Sequence, residues 1–227
     1  VNKSDTTAGE KTVQDWVEEY LKVSKGDAEV SEVSKGVLAS PFDTFDTFPA
    51  FDTFLARAGI VHRLDKETSG ILLVAKNPES FINLQAQFKE RKVQKTYIAL
   101  AHGKIEPEEG EIDVAVGRLP WNRKRFGVLS GGRESITRYR VISNLKFKIS
   151  NSQEDLSLVE LYPKSGRTHQ IRVHLQYIRH PIFADPLYGG RKTSRADRKL
   201  LPRLFLHAAK ISFYHPKTKK LISFESP

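Results

Sequence analysis

The stretch Leu156-Ser-Leu-Val-Glu-Leu-Tyr162-Pro-Lys-Ser165-Gly-Arg-Thr-His-Gln-Ile-Arg172-Val-His-Leu-Gln-Tyr-Ile178 changes its apolar period halfway along. Up to Tyr162 it reads as a strand; beyond a polar, glycine-containing link, Ile171, Leu175 and Ile178 recur at helical spacing, so a helix starts near His169. Working outward, Thr96–Ala101, Glu111–Val116 and Ser135–Ile142 have the texture of further strands, interrupted by a basic stretch between Arg118 and Arg133. Leu206–Tyr214 and Leu221–Phe224 flank His-Pro-Lys-Thr and read as a closing hairpin. Ile71–Ala75 reads as a buried strand, followed by Asn77-Pro78 opening a helix that carries Phe81, Leu84 and Phe88. The expected fold class is α+β, with a mixed, largely antiparallel sheet and flanking helices.

The N-terminal quarter is less regular. Val13, Trp16, Val17, Tyr20 and Leu21 recur at helical spacing behind Thr12 and Asp15, which are placed like a capping box; the stripe is expected to pack on the main sheet. Residues 24–58 show no clear period, and Pro-Phe-Asp-Thr-Phe-Asp-Thr-Phe-Pro-Ala-Phe-Asp-Thr-Phe resembles low-complexity sequence, expected to be a loop over the core rather than an element. One domain over 1–227 is expected, with 1–58 as its atypical N-terminal part and 59–227 as its core.

Lys and Arg number 37 against 27 Asp and Glu, a net charge of +10, and the isoelectric point is about 9.7. A balance this basic points to nucleic acid as partner. No apolar run approaches the ~18 residues of a spanning helix, so a membrane is not the expected partner and a cytoplasmic protein is. There is no cysteine, which excludes disulfides, thiolate metal sites and cysteine nucleophiles. The chain opens at Val1 and holds no Met, so further residues are expected upstream.

Two polar clusters carry the chemistry. Gly59-Ile-Val-His62-Arg63-Leu-Asp65-Lys-Glu-Thr-Ser-Gly70 sets a carboxylate between an arginine and a glycine turn, in a loop beside a strand, where catalytic groups gather. On charge pattern alone, the reading that Asp65 caps a turn and pairs with Arg63 is the favoured one. Ser165-Gly-Arg167-Thr-His169-Gln170-Ile-Arg172-Val-His174 opens a helix, whose amides with Arg167 and Arg172 suit a phosphate or a carboxylate, or form a solvated basic face. Arg118, Arg123, Lys124, Arg125, Arg191, Lys192, Arg195, Arg198 and Lys199 form two basic stretches suited to phosphates. The histidines match no standard metal-ligand spacing, so no metal is expected.

Together, His62–Gly70, Lys95-Thr-Tyr97-Ile-Ala99, Gly166–His174, His180-Pro-Ile-Phe-Ala-Asp-Pro-Leu-Tyr-Gly189 and Leu206-His-Ala resemble the RluA-type pseudouridine synthases, in the family's order over roughly residues 59–227. The resemblance implies the pseudouridine synthase fold and a cofactor-free isomerase acting on uridines in structured RNA. Asp65 matches the family's essential aspartate, expected as nucleophile; a carboxylate there can add to the anomeric carbon or to the ring, or take the ribose proton as a base to give a glycal, and the sequence does not choose among these. Tyr97 matches the tyrosine that lies against the target base as general base, and Arg172 the arginine that ion-pairs with the aspartate. Arg63 matches the arginine that enters the helix where the flipped base had been; His62, Arg167, His169, Gln170, Arg123 and Arg125 are expected to contact RNA. Arg57-Ala-Gly-Ile-Val and Tyr188-Gly-Gly-Arg look most like the branch acting on large-subunit ribosomal RNA, ahead of transfer RNA, and a monomer is expected. The opening differs from the family, with Ser4 after Val1-Asn2-Lys3, and nothing resembles an S4-type RNA-binding domain. Two rivals stand beside this reading: an inactive RNA-binding or ribosome-assembly protein on the same fold, and a phosphodiesterase using His169 and His174.

Overall fold

A computed structural model describes residues 11–24, 47–149 and 152–227. The chain resolves into two compact units, Val1–Arg63 with Leu72–Glu90 and Pro216–Lys219, and Leu64–Ile71 with Arg91–His215 and Lys220–Pro227.

Among the described residues the first unit contains three helices: α1 (Val13–Ser24), α2 (Thr47–Ala56) and α3 (Pro78–Lys89). The start of α1 is capped as expected, with the Thr12 amide and hydroxyl donating to the Asp15 carboxylate (2.8 and 2.7 Å). Val17 is buried with Ala58, Ile60, Leu72 and Val74 of the same unit, while Trp16 and Tyr20 stack on one another at 5.5 Å and stay exposed. Helix α2 corrects the loop expectation for the Phe-rich repeat from Thr47 onward. Pro49 falls in its first turn, where no amide is missed, and Phe54 is buried edge-on to Phe81. The earlier part of the repeat lies outside the described residues. Asn77 caps α3 by accepting the Ser80 amide (2.9 Å), with Pro78 in the first turn and Phe81 and Leu84 buried. The expected strand at Ile71–Ala75 is not formed. Leu72 and Val74 spend their apolar surface on the Val17 cluster, and only an isolated bridge between Ile60 and Val74 remains.

The second unit is built on a seven-stranded sheet, ordered β1 (Ser69–Gly70), β8 (Leu206–Tyr214), β2 (Gln94–His102), β7 (Ser152–Pro163), β6 (Ile136–Ile149), β3 (Glu109–Asp113), with β9 (Leu221–Glu225) also on β8. Only β1 runs parallel to its partner; the other pairs are antiparallel. The sheet is therefore mixed and largely antiparallel, as expected. The basic stretch expected to interrupt the strands is itself a hairpin, β4 (Val116–Leu119) and β5 (Asn122–Val128). Helix α4 (Gln170–Tyr177) lays Ile171 and Leu175 over Ala99, Ala101, Val159 and Leu161, and the two alanines of β2 leave room for it to approach. A short helix, α5 (Arg191–Asp197), carries basic residues. None of the described helices is long and apolar enough to cross a membrane.

Candidate active site

Three elements of the second unit deliver the site. The loop Leu64–Ile71 carries Asp65 and is pinned along its length. The Thr68 amide donates to the Asp65 carbonyl (3.0 Å). Glu67 receives both terminal nitrogens of Arg198 (2.8 and 3.1 Å) and the Leu204 amide (3.2 Å). Those bonds hold the Glu67 carboxyl below its usual range despite the opposing effect of burial. Ser69 Oγ lies 2.8 Å from His207 Nδ1. Gly70 sits at φ 106°, and a Cβ there would fall 2.3 Å from the Ala208 carbonyl, so only glycine lets the loop join β8.

Strand β2 carries Tyr97. Between Thr96 and Tyr97 the pairing with β8 slips, with Thr96 opposite Lys210 and Tyr97 opposite Ala208, which leaves Ala209 as an extra residue. Bulges of this kind re-aim side chains beside functional sites. Burial, assisted by the negative charge of Asp65, pushes the Tyr97 phenol up to about 12, so it is a neutral hydroxyl at rest. Two residues earlier, Lys95 donates to the Ser165 carbonyl (2.8 Å), and burial lowers its amine to about 8.

Helix α4 carries Arg172, 107 residues beyond Asp65. Its guanidinium is divided between two carboxylates. Nε and Nη2 donate to Asp185 (2.7 and 2.8 Å), while Nη1 donates to Asp65 Oδ2 (3.1 Å). Asp185 is fully buried and also accepts the Leu187 and Tyr188 amides (2.8 and 3.1 Å). A fork locked on both teeth against a buried acid cannot turn, so the remaining nitrogen is aimed at Asp65. The Tyr188 ring lies under the same guanidinium at 5.0 Å. Asp185 is the site residue that the sequence reading missed. It stands within a quoted block, but its Pro-Leu-Tyr-Gly surroundings signal only a turn.

Asp65 and Arg172 thus meet as expected, with the Tyr97 phenol within range of the Asp65 charge. His169 joins them: it starts α4 in a left-handed conformation (φ 57°), with Nε2 4.0 Å from Asp65 Oδ2 and Nδ1 2.9 Å from the Tyr188 hydroxyl. Arg125 also lies over the Tyr188 ring, 5.3 Å from its centroid. It opens a cavity of about 620 Å³ lined also by Arg191, Arg195, Arg198 and Lys199.

Other expected contacts are placed differently. Gln170 is buried and saturated: its oxygen accepts from Ser165 Oγ and the Arg167 amide, and its nitrogen donates to the Ile136 carbonyl and Thr137 Oγ1 (2.7–3.0 Å). It clamps the loop to β6 and has no donor or acceptor left for RNA. Arg167 donates from Nε to the Glu134 carbonyl (3.3 Å). Arg123 is exposed on β5, its carbonyl accepting from Arg118. Arg198 is committed to Glu67. His62 and Arg63 belong to the first unit, where His62 accepts the Leu73 amide (2.9 Å) and stacks on Phe88, and Arg63 is exposed. His174 is fully buried, and burial lowers it to about 4. That removes the paired-histidine phosphodiesterase, because this ring faces the core.

Comparison with known proteins agrees with the geometry. The profile described as RNA pseudouridylate synthase matches residues 22–177. Ribosomal large subunit pseudouridine synthase D of Nitrosomonas europaea is 43% identical over 174 residues, covering 75% of this chain and 48% of the relative. An RNA pseudouridine synthase of Bacillus subtilis, YlyB, is 39% identical over 171 residues, covering 75% of this chain and 52% of the relative. The chain thus spans about half the length of these curated relatives. The solved structure of human RNA pseudouridylate synthase domain containing 1 superposes with a TM-score of 0.63 at 32% identity, over 74% of this chain and 68% of that one. A pinned acidic loop, a bulged strand with its tyrosine, a helix with a locked arginine and these likenesses lead to one conclusion: the chain belongs to the RNA pseudouridylate synthase family.

Proposed function

We propose that this chain isomerises uridine to pseudouridine in structured RNA, with large-subunit ribosomal RNA as its substrate and Asp65 as nucleophile. The observation that carries the reading is the Asp65 carboxylate, held through Oδ2 by an arginine that Asp185 prevents from moving. Among the described residues no hydrogen bond reaches Oδ1. A fixed carboxylate with one free oxygen is suited to attack. Oδ1 adds to the anomeric carbon, and the uracil leaves with the electron pair of its bond to nitrogen. The uracil then turns and rejoins through carbon five, which releases the carboxylate.

Tyr97 is proposed to lie against the uracil and remove the proton on carbon five. Because its phenol rests neutral, it accepts that proton only as its own passes on, by way of the carboxylate just released, to the uracil N1 that gave up the bond to ribose, which leaves both side chains as they began. Arg63, two residues before Asp65 and exposed, is proposed to fill the stack that the base leaves, against an unstacking cost of a few kcal/mol. Arg125, Arg191, Arg195 and Lys199 are proposed to hold phosphates along the basic cavity. The large-subunit assignment is supported by the Nitrosomonas relative's name. With RNA as partner, the chain is read as cytoplasmic and monomeric.

The test is to incubate the protein with ribosomal RNA transcripts and map new pseudouridines with a chemical label. The label should appear at discrete uridines of large-subunit RNA. Transcripts left unlabelled by the intact enzyme count against the reading, and labelled transfer RNA alone would redirect the substrate.

A further inference from the structure

We infer that His169 is a positioning residue for Asp65, held by a relay through Tyr188 that fixes which carboxylate oxygen reacts; this rests on the proposed isomerase reading. The relay starts at the backbone. The Phe126 amide donates to the Tyr188 hydroxyl oxygen at 3.0 Å, and Nδ1 of His169 lies 2.9 Å from the same oxygen. Tyr188 is buried, so its own proton needs an acceptor, and a buried hydroxyl left without one is costly. Nδ1 serves only if it carries a lone pair. The imidazole is then neutral with its hydrogen on Nε2, the nitrogen that stands 4.0 Å from Asp65 Oδ2.

The ring has little freedom to turn away. Phe126 and Tyr188 meet it edge-on, with centroids 5.5 and 5.6 Å off. The left-handed backbone at His169 sets it outside the regular helix path. At 4.0 Å the Nε2 contact is too long for a hydrogen bond, as catalytic contacts often are before substrate closes the site. With RNA bound it shortens, and Oδ2 then takes two donors, Arg172 Nη1 and His169 Nε2. Oδ1 is left as the reacting oxygen. His169 accordingly acts through Asp65 instead of contacting RNA.

Nitrogen-15 NMR of the histidine rings at neutral pH reads the tautomer directly. The expected spectrum has His169 unprotonated at Nδ1 and protonated at Nε2. His169→Asn, a residue that tolerates the left-handed backbone, should lower kcat about tenfold with KM for RNA unchanged, the size of one lost hydrogen bond to a charge. Tyr188→Phe keeps the ring under Arg172 and removes only the hydroxyl. It should lower kcat in the same direction, and the double variant should be no slower than His169→Asn, because one residue acts through the other. A proton on Nδ1, an unchanged kcat, a loss confined to KM, or additive single effects would each overturn the relay. A wild type that makes no pseudouridine would instead sink the isomerase reading beneath it.

Discussion

Asp185→Asn probes the lock on Arg172 with the smallest change of shape. Asp185 accepts four hydrogen bonds: three on Oδ1, from Arg172 Nη2 and the Leu187 and Tyr188 amides, and one on Oδ2, from Arg172 Nε. An asparagine oxygen can replace Oδ1, but its amide nitrogen then faces the Nε–H donor to donor. The buried guanidinium loses a neutralising charge while Asp65 remains. Removing one partner of a buried pair costs roughly 3–5 kcal/mol, and the surviving Asp65 contact sets the lower end, about 3 kcal/mol. For a chain of this size that corresponds to a fall of roughly 6–12 °C in Tm. Released from its fork, Arg172 no longer aims Nη1, and a misplacement near 1 Å is worth about 100-fold in rate. Urea unfolding gives the first quantity, and release of tritium from uridine labelled on carbon five gives the second. A variant within 1 kcal/mol of wild type that turns over normally would refute the claim that Asp185 orients the site.

Three further perturbations follow from the same geometry. Tyr97 should form tyrosinate near pH 12, and Asp65→Asn, which removes the smaller, electrostatic cause while burial remains, should bring that titration below 12; its ultraviolet difference spectrum reports both, and an unmoved midpoint would separate the two side chains. Since the folded phenol keeps its proton longer than the unfolded one, its contribution to stability is complete below pH 10 and is lost as pH rises through about 12. His174, lowered from 6.5 to about 4, works in the opposite sense: stability present above pH 6.5 is lost as pH falls through 4, by about 3 kcal/mol at ~1.36 kcal/mol per pH unit. Urea midpoints for wild type and His174→Leu should diverge over that window, and parallel curves would contradict the assignment. Finally, Arg191, Arg195 and Lys199 stand four residues apart along α5 and its end. Replacing all three with alanine should flatten the salt dependence of RNA binding by about 2 in log–log slope, at ~0.7 per phosphate contact on a single strand. An unaltered slope by fluorescence anisotropy would remove the cavity from the RNA path.

Much of this arrangement is legible from residues alone where the cause is local. Asn77-Pro78 announces α3 because a capping oxygen and a proline act within one turn, and Thr12 with Asp15 announces α1 for the same reason. The Asp65 and Arg172 blocks are legible through family resemblance, although their meeting across 107 residues is a product of the fold. Where the determinant is tertiary, the reading fails. Ile71–Ala75 has the composition of a strand, but its side chains serve a helix cluster. The β4–β5 hairpin is mostly exposed or half-buried, so its basic residues show no alternation to read. Strand β6 runs on to Ile149; the alternation Leu145-Lys-Phe147-Lys-Ile149 is a strand signal that the reading passed over, and Leu145 and Phe147 stay exposed. Asp185 looks like a turn residue, which it is; its grip on Arg172 depends on where α4 docks.

The central claim concerns a single carboxylate, and Asp65→Asn tests it most directly. The substitution keeps the size of the side chain and its bond from Arg172, so RNA affinity measured by anisotropy should match wild type. Tritium release from carbon five of substrate uridines should fall to background. Release at the wild-type rate by a variant with normal affinity would contradict the account.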